Sequence, residues 1–316
     1  MISIIIPNYN GLKHLKVCFD SLKRQSIKDF IIVFVDNNSD DKSVEFIEKY
    51  YPETYIIKQD YNTGFARGVN SGIKFSLKIS DVKYLLLLNN DIECDENFVE
   101  EMLKGFITSD TGSVACKMLN YFDRKVIDDA GDFIKINGSP YARGFGDNDT
   151  GQYDKEEFIF GACAGAALYK RYIFEKVGFF DEDFFAYYED VDFDLRMQLM
   201  GYKCFYNPKA ICYHKRGATT KKNIGYQTML CEKNLIALRI KNYPFITLLK
   251  YEPHFLIGRL IRYYRFLRDH SILIFLGAIK GYISGMLNIY QSLRKRISIQ
   301  NKKILSVREF EDLFRN

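Results

Sequence analysis

The chain has 316 residues, 47% hydrophobic and 27% charged, which is enough for one large folded domain with an appendage. Its seven cysteines are odd in number and include no Cys-x-x-Cys pair, which argues against a disulfide scaffold or a structural zinc site. The net charge of +5 hides an asymmetry: residues 203–316 carry 22 Lys or Arg against 6 Asp or Glu, and the rest carry 23 against 34. An acidic part suited to metal-assisted chemistry therefore precedes a basic part suited to anionic partners.

Strand and helix patterns alternate along the first hundred residues. Apolar runs predict strands at residues 3–6, 30–35 and 55–58, and helical periodicity follows the first two of them. This order predicts a βαβ arrangement and an α/β fold. Because the chain begins with a strand and shows no secretory signal, the expected compartment is a reducing cytoplasm. No stretch reaches the roughly 18 apolar residues of a membrane-spanning helix.

The fourth predicted strand ends on a carboxylate. Residues 85–88 are four leucines without polar alternation, which predicts a central strand covered on both faces. Asn89, Asn90 and Asp91 follow it, at the sheet edge where ligands of open α/β sheets bind. Asp91 is therefore expected to meet a cation, and Mg²⁺ or Mn²⁺ bound to a nucleotide diphosphate is the commonest candidate. A solvated carboxylate in a polar turn is the open alternative.

The glycine-rich segment at residues 62–72 suits close approach to a ligand, and its Arg67 suits a phosphate. Neither this segment nor the turn after the first strand contains the G-x-G-x-x-G fingerprint. That absence from the sequence counts against a nicotinamide-dependent oxidoreductase.

These segments resemble the family 2 glycosyltransferases and, more narrowly, their bacterial rhamnosyltransferase-like branch. The resemblance rests on residues 3–10 (SIIIPNYN), 35–39 (VDNNS), 64–70 (GFARGVN) and 88–91 (LNND), and continues through 161–168 (GACAGAAL), 177–182 (VGFFDE), 187–192 (YYEDVD) and His214. It implies a GT-A fold: a Rossmann-like, mostly parallel sheet flanked by helices, forming a catalytic domain over residues 1–216. Residues 217–316 are then a helical, basic and membrane-associated extension.

The resemblance also implies which residues bind the nucleotide-sugar donor: Pro7, Tyr9, Asp36, Asn38, Gly64, Arg67, Asn89, Asn90 and Asp91. Asp36 would accept a hydrogen bond from N3-H of uracil or thymine, although a carboxylate that caps the following helix is the alternative. Arg67 would pair with a phosphate or with Asp36.

The implied metal ligands for Mg²⁺ or Mn²⁺ are Asp91 and His214. Asn89 stands where the family pattern has a first aspartate, so one carboxylate ligand is missing and weak metal binding is expected without nucleotide. A solvated loop residue is the alternative reading of His214, which lies beside Lys215 and Arg216.

The implied catalytic residues are Asp190, as the base that deprotonates the acceptor, and Glu189, which would orient the acceptor or a loop. Four carboxylates in residues 189–194 would repel one another unless they faced different partners, and crowding should raise the pKa of Asp190. Arg196 is expected to neutralise part of the cluster. An acidic helix N-terminus stabilised by the helix dipole is the alternative. Residues 131–153 are expected to form a long loop that contacts the acceptor.

The last hundred residues are expected to be largely helical. From Leu256 onward an apolar stripe alternates with Arg259, Arg262, Arg265 and Arg268, which is typical of an interfacial helix. A helix packed on the catalytic domain with a solvated basic face is the competing account. No nucleic-acid-binding module is recognisable in the sequence, so nucleic acid is not expected as a partner.

The function expected from the sequence is that of an inverting glycosyltransferase. It would move a sugar, with rhamnose as one candidate, from a UDP- or dTDP-sugar to a cell-surface polysaccharide or a lipid-linked glycan. It would work in the cytoplasm, bound peripherally to the inner face of the cell membrane. The alternative from another class is a catalytically silent protein that binds nucleotide sugars or acts as a scaffold at the membrane.

Overall fold

The computed structural model describes residues 1–135, 137–216, 224–269 and 271–314. The strands are β1 (Ile2–Asn8), β2 (Phe30–Asp36), β3 (Tyr55–Lys58), β4 (Tyr84–Leu88), β5 (Ile92–Cys94), β6 (Thr111–Asn120), β7 (Ile127–Asp129), β8 (Asp132–Ile134), β9 (Pro140–Ala142), β10 (Glu157–Ile159), β11 (Ala166–Lys170) and β12 (Lys203–His214). The helices are α1 (Leu12–Lys23), α2 (Ser43–Tyr50), α3 (Gly64–Ser76), α4 (Phe98–Lys104), α5 (Arg171–Lys176), α6 (Glu189–Leu199), α7 (Ile224–Asn242), α8 (Phe245–Asp269), α9 (Ile272–Leu287), α10 (Ile289–Lys302) and α11 (Val307–Asp312). A short 3-10 turn spans Glu182–Phe184.

The expected α/β fold is confirmed: helices flank a central, mostly parallel sheet, and further helices follow it. Strands β3, β2, β1 and β4 are parallel neighbours in that order. Antiparallel β11 joins β4 to β6, and β6 in turn pairs in parallel with β12. The carboxyl ends of β1, β2 and β4 therefore meet at one edge of the sheet, which is where polar side chains replace the apolar runs.

The leucines of β4 confirm that this strand is covered on both faces. All four are fully buried. Leu85 and Leu87 belong to one hydrophobic cluster, and Leu86 and Leu88 belong to the other. Because alternate side chains of a strand point to opposite faces, the two clusters lie on opposite sides of the sheet. Each buried leucine contributes about 1.5–3 kcal/mol to stability, so the strand that precedes Asp91 is firmly anchored.

The segment predicted as a long loop contains more structure than expected. Strands β8 and β9 form an antiparallel hairpin in which Asp132 pairs with Ala142 and Ile134 pairs with Pro140. Phe133 and Ile134 are buried in the core, which gives this short hairpin the apolar anchor that such a pair of strands needs. A strand of three residues is too short to show the alternation of polar and apolar residues that predicts a strand. The surrounding glycines favoured a loop instead.

The C-terminal helices share the core of the catalytic half. The cluster that contains Leu85 also contains Leu238 of α7, Tyr243, Phe255 of α8 and Phe310 of α11. Within the described residues no single helix has both the length and the apolar character needed to cross a membrane. The pair α9 and α10, bent by 59°, passes that test jointly on length and composition.

Candidate active site

The end of β2 holds Asp36 in a network of three donors. Asn8 pairs with Asp36 in the sheet register, and its Nδ2 donates to Asp36 Oδ1 over 3.1 Å. The backbone N–H and the hydroxyl of Ser39 also donate to this carboxylate, over 2.9 and 2.6 Å. Asp36 is buried, yet a carboxylate has about four acceptor positions, so it retains capacity for one further donor. Asn8 and Ser39 are the positioning residues that sequence reasoning missed.

The turn after β1 and the turn after β2 lie beside this carboxylate. Tyr9 and Asn38 are exposed there, Asn38 has a positive φ of 63°, and Pro7 is half-buried. Asn90 Nδ2 donates to Asn8 Oδ1 over 2.6 Å and so ties the turn after β4 to the end of β1. Gly11 leaves the space for this contact, because a Cβ there would lie 2.1 Å from Asn90 Nδ2.

The N-terminus of α3 packs against the segment that leads into α6. Gly64 has a φ of +79°, and a Cβ there would lie 2.5 Å from the carbonyl oxygen of Phe185. That carbonyl accepts from the backbone N–H of Ala66 over 3.2 Å. The sequence motif therefore needs glycine at position 64 both for its backbone conformation and for this close approach.

Arg67 lies with Glu182 rather than with Asp36. Its Nε is 2.7 Å from Glu182 Oε2, and its Nη1 donates to the hydroxyl of Tyr61 over 2.9 Å. The expected pairing with Asp36 is therefore not the one formed, because the turn that contains Glu182 brings a carboxylate directly against α3. The guanidinium remains about half exposed and keeps donors that are open to a phosphate.

The structure brings Asp91 and His214 together. Asp91 follows β4, His214 ends β12, and His214 Nε2 lies 3.3 Å from Asp91 Oδ1. The other ring nitrogen, Nδ1, is 2.8 Å from Asp128 Oδ2. Arg216 Nε holds the second oxygen of Asp128 at 2.7 Å. Asp128 was missed by sequence reasoning, although three acids within residues 128–132 were a visible signal.

The pairing of opposite charges shifts the pKa values of His214 and Asp91. Burial opposes the positive charge on His214, but its hydrogen bonds to Asp128 and Asp91 outweigh burial and raise its pKa to about 9. Burial also opposes the negative charge on Asp91, but the neighbouring His214 holds the pKa of Asp91 below its ordinary value. A protonated His214 therefore occupies the position that a cation would take.

The arrangement fits a divalent metal. One carboxylate oxygen and one imidazole nitrogen converge in a partly buried site, and a second carboxylate fixes the far side of the ring. This is the carboxylate–histidine arrangement that orients metal-binding histidines and raises their basicity. Asn89 takes the place of a further carboxylate, so the protein supplies few charged ligands of its own and leaves positions for phosphate oxygens.

Asp190 lies in the first turn of α6, where the helix dipole favours a negative charge. Its Oδ1 accepts from the N–H of Val191 over 2.9 Å, and its Oδ2 accepts from the N–H of Ala164 over 3.3 Å. Burial raises the pKa of Asp190, against the lowering effect of these backbone donors. A partly buried carboxylate with a raised pKa is suited to accept a proton from a hydroxyl.

Three of the four acidic residues of α6, namely Asp190, Asp192 and Asp194, face different partners. Asp192 pairs with Arg196 over 3.0 Å, which confirms that Arg196 neutralises part of the cluster. Asp194 Oδ2 accepts from the N–H of Ala162 over 3.1 Å. Glu189 is buried, burial raises its pKa, and its Oε2 has no hydrogen-bond partner among the described residues.

Further carboxylates approach Asp190 from the hairpin segment. One ligand atom each from Asp132, Cys163 and Asp190 lie within 4.8 Å of one another. Burial raises the pKa of Asp132, and the charge of Asp190 adds to the effect. Burial likewise raises the pKa of Asp129 to about 7. Asp190 therefore lies in a cluster of acidic residues, and sequence reasoning named neither Asp129 nor Asp132.

Helix α7 holds the backbone that precedes Asp190. Phe185, Tyr187 and Tyr188 all have positive φ, at 64°, 70° and 67°, which costs of order 1–3 kcal/mol each. Asn234 Nδ2 lies within hydrogen-bond distance of three carbonyl oxygens of this turn, those of residues 184, 186 and 187, at 3.0, 2.9 and 2.8 Å. The buried Asn234 amide therefore stabilises the strained turn that aims Asp190.

A buried cation strengthens the same junction. Lys241 of α7 pairs with Asp181 and lies 2.8 Å from Asp192 of α6. Asn242 Nδ2 donates to Asp192 over 2.8 Å. Both ends of the segment from 181 to 192 are thus bound to α7, although α7 lies beyond the part of the sequence that carries the family motifs.

One short segment links the two halves of the site. The carbonyl of Gly165 accepts from the backbone N–H of Asn89 over 2.8 Å, and the N–H of the preceding residue, Ala164, donates to Asp190. Gly165 admits Asn89 closely, because a Cβ there would lie 3.2 Å from Asn89 Nδ2. This segment therefore fixes the position of Asp190 relative to the turn of residues 89–91 that follows β4. Such a site suits an anionic ligand and a metal ion beside Asp91 and His214, and a hydroxyl group beside Asp190.

Comparisons with known proteins agree with this chemistry. The family model described as glycosyl transferase family 2 matches residues 3–178, more than half of the chain. The chain therefore belongs to this family. A curated relative, the low-salt glycan biosynthesis hexosyltransferase Agl10 of Haloferax volcanii, is 24% identical over 205 residues, or 62% of this chain. The chain spans 61% of that relative's length.

Solved structures show the same fold. Staphylococcus aureus TarS 1-349 in complex with UDP superimposes with a TM-score of 0.58 at 16% identity, over 99% of this chain and 90% of the other. A mannosyltransferase of Pyrobaculum calidifontis in complex with GDP-Man and Mn²⁺ gives 0.55 at 14% identity, over 99% and 86%. These similarities cover nearly the whole chain, including the C-terminal helices that the family model does not reach.

Proposed function

We propose that this glycosyltransferase moves a sugar from a UDP- or dTDP-sugar to a hydroxyl of a cell-surface polysaccharide or a lipid-linked glycan, with inversion at the anomeric carbon. The single observation that carries the proposal is the segment at Ala164 and Gly165, which ties Asp190 to Asn89 of the donor site. It keeps a proton acceptor at a fixed distance from the turn that carries Asp91. Rhamnose is the donor sugar that the resemblance of the sequence favours.

In this mechanism the donor half binds and orients. Asp36 accepts from N3-H of the base, with Pro7, Tyr9 and Asn38 around it. Arg67 reaches a phosphate oxygen with the donors that Glu182 and Tyr61 leave free. Gly64 and Asn90 allow the backbone and side chains of the neighbouring turns to lie close to the diphosphate.

Asp91 and His214 would hold the divalent cation, which, when bound, neutralises the diphosphate and stabilises it as a leaving group. His214 must give up its Nε2 proton to bind, and its Nδ1–H then donates to Asp128. The nitrogen ligand favours Mn²⁺ over Mg²⁺, because Mg²⁺ strongly prefers oxygen ligands in octahedral geometry.

Asp190 takes the proton from the acceptor hydroxyl. Its raised pKa improves its match to a hydroxyl that loses a proton only as the new bond forms. Glu189 is buried beside this base, where burial raises its pKa, and it would orient the turn. Asp132 of β8 lies beside the base, and a negative charge on it would raise the proton affinity of Asp190.

The test of the proposal begins with a panel of UDP- and dTDP-sugars. The true donor should stabilise the folded protein against heat, since it binds only the folded state. That donor should then be hydrolysed slowly without acceptor, and release of nucleoside diphosphate should require Asp190. Donor binding with no release under any condition would favour the alternative, a silent nucleotide-sugar-binding or scaffold protein.

The metal is tested by calorimetry. Mn²⁺ should bind weakly to the protein alone and at least about tenfold more tightly in the presence of UDP, because the diphosphate completes the ligand set. Asp91→Asn should abolish this coupling. Full activity in excess EDTA would contradict the metal assignment.

The place of action proposed is the inner face of the cell membrane. It is supported by the excess of 22 basic over 6 acidic residues in residues 203–316, which suits an anionic lipid surface.

A further inference from the structure

The outward faces of α8 and α9 are apolar. Six large residues between Leu256 and Leu267 of α8 are 47–61% exposed, namely Leu256, Ile257, Leu260, Ile261, Tyr264 and Leu267. They recur every three or four residues and so form one stripe along the helix. On α9, residues such as Leu273, Ile283 and Leu287 are 68%, 52% and 80% exposed. We call these residues of α8 and α9 the C-terminal apolar surface.

Some polar residues of α8 point toward the protein, whereas Arg265 and Arg268 stay exposed. Arg262 Nε lies 2.6 Å from Oε1 of the buried Glu232 on α7. The Tyr263 hydroxyl donates to the carbonyl of Ala278 over 3.3 Å, and the Arg259 guanidinium stacks on Tyr282 at 4.5 Å. A surface helix in water shows the opposite arrangement, with its apolar stripe against the protein. The exposed stripe of α8 is therefore suited to contact an apolar environment other than the core of the protein.

The inner face of α9 packs in the way that membrane helices do. Gly277, Gly281 and Gly285 recur at four-residue intervals. A Cβ at Gly277 would lie 2.2 Å from the carbonyl oxygen of Gly225, and a Cβ at Gly281 would lie 2.3 Å from that of Met229, both on α7. Small residues that let two helix backbones touch are the usual device where water does not drive association. Substitution of these glycines would separate α9 from α7.

The charge around the apolar surface selects the partner. Residues 245–304 contain eleven Lys or Arg and two Asp or Glu. Arg265 and Arg268 are exposed on α8, as is Lys280 on α9. An apolar face of this extent, surrounded by cations and provided with an exposed tyrosine, is complementary to an anionic lipid bilayer.

We propose that the C-terminal apolar surface inserts into one leaflet of an anionic phospholipid bilayer, so that the protein is bound through apolar burial and not through charge alone. The inference deepens the proposed function and rests on it only in the nature of the acceptor. Helix α7 contacts α9 through Gly225 and contacts the turn before Asp190 through Asn234. Helix α7 therefore connects the inserted helix α9 to the turn before Asp190, which suits an acceptor that is itself linked to a lipid.

The test is flotation of the full chain with vesicles of phosphatidylglycerol and phosphatidylcholine. The wild-type protein should float, and a fraction should remain bound at 1 M salt, where surface charges are screened within about 3 Å. The double variant Leu260→Glu with Leu273→Glu should bind at least about tenfold less, because both side chains would have to be buried as charges. Phe122→Glu, a 78% exposed apolar residue outside the C-terminal helices, is the matched control and should float like wild type.

Two further measurements make the outcome unambiguous. The melting temperatures of all variants should agree with that of wild type, because the substituted side chains are exposed. Wild-type protein that stays unbound, or a double variant that floats normally, would overturn the proposal. So would sedimentation that shows the surface buried between two copies in the absence of lipid.

Donor hydrolysis in solution separates this proposal from the proposed function. Hydrolysis without flotation would overturn insertion alone, and flotation without hydrolysis would overturn only the reaction. Reversal of all four arginines of α8 is a poor test, because Arg262→Glu would place two carboxylates together in the buried contact with Glu232.

Discussion

Helices α7 and α8 follow one another in the chain but distribute their side chains in opposite ways. Helix α7 buries polar groups, among them Glu232, Asn234 and Lys241, and directs them at the turn before α6 or at α8. Helix α8 exposes its apolar stripe and turns part of its basic face inward. The comparison teaches that the basic C-terminal region is not one functional unit.

The boundary predicted at residue 216 marks the end of the family resemblance. We infer that the catalytic unit extends through α7, because the residues that fix the Asp190 turn lie on that helix and its Leu238 belongs to the core of the sheet. Helices α8 and α9 carry the surface that we propose to bind lipid. Substitutions on α7 should affect folding and catalysis, and substitutions on the outer faces of α8 and α9 should affect only lipid binding.

The largest effect is expected at the buried cation of α7. Lys241→Met should lower the free energy of unfolding by about 3 kcal/mol, because Asp181 and Asp192 would lose a buried partner while retaining Lys295 and Arg196. For a chain of this size the melting temperature should fall by roughly 5 °C. Calorimetry should record no comparable change for Lys280→Met on the exposed side of α9. Equal shifts in melting temperature for the two variants would contradict the different roles assigned to α7 and α9.

The second-largest effect is expected on the rate of sugar transfer and not on donor binding. Asp190→Asn should reduce nucleoside diphosphate release and sugar transfer by about 100-fold or more, the usual contribution of a general base. Donor affinity, measured by titration calorimetry, should stay near the wild-type value because Asp190 faces the acceptor. Equal turnover would remove Asp190 from the mechanism, and a parallel loss of donor affinity would mark it as structural.

Asn234→Leu tests whether α7 serves catalysis. The substitution removes the two N–H groups that Asn234 shares among the carbonyls of residues 184, 186 and 187, so the strained turn should relax and Asp190 should shift. We expect kcat to fall at least about tenfold with little change in KM for the donor or in vesicle flotation. Asn301→Leu on the exposed side of α10 is the control. A loss of stability without a loss of kcat in the folded fraction would make Asn234 merely structural.

The smallest effect is a shift in pH dependence. Asp190 must be deprotonated to act as a base, and its raised pKa means that activity falls as pH drops through a value above that of an ordinary aspartate. Asp132→Asn removes a neighbouring acid, so the fall of activity on the acid side of the pH–activity profile should move to lower pH by less than about one pH unit. A fall that stays in place, or moves upward, would show that Asp132 does not influence the base.

The parts of the site that were predictable lie where a local pattern ends. Strands β1, β2 and β4 are continuous apolar runs, so Asp36 and Asp91 could be placed at the sheet edge from sequence alone. Asp128 and Asp132 stood in a visible acidic cluster but had no spacing that assigned them, and they acquire their roles only from contacts with His214 and near Asp190. Asn234 is separated by 47 positions from the nearest carbonyl that it holds, a distance at which sequence carries no contact information.

The partner of Arg67 shows the same limit. An arginine in a loop is drawn to the nearest carboxylate in space, and the turn that brings Glu182 to α3 is set by packing between distant segments. The hairpin of β8 and β9 was likewise hidden, because three-residue strands have no period to detect.

By itself, the sequence determined the α/β class, the family and the carboxylates at the strand and helix ends, because strand burial and helix periodicity are local properties of the chain. It also determined that an apolar stripe and a basic face share α8. Only the tertiary structure decided which of those faces meets the protein. The direction that an amphipathic helix faces depends on the surface that receives it, and here buried Glu232 on α7 attracts Arg262 inward and leaves the leucines outside.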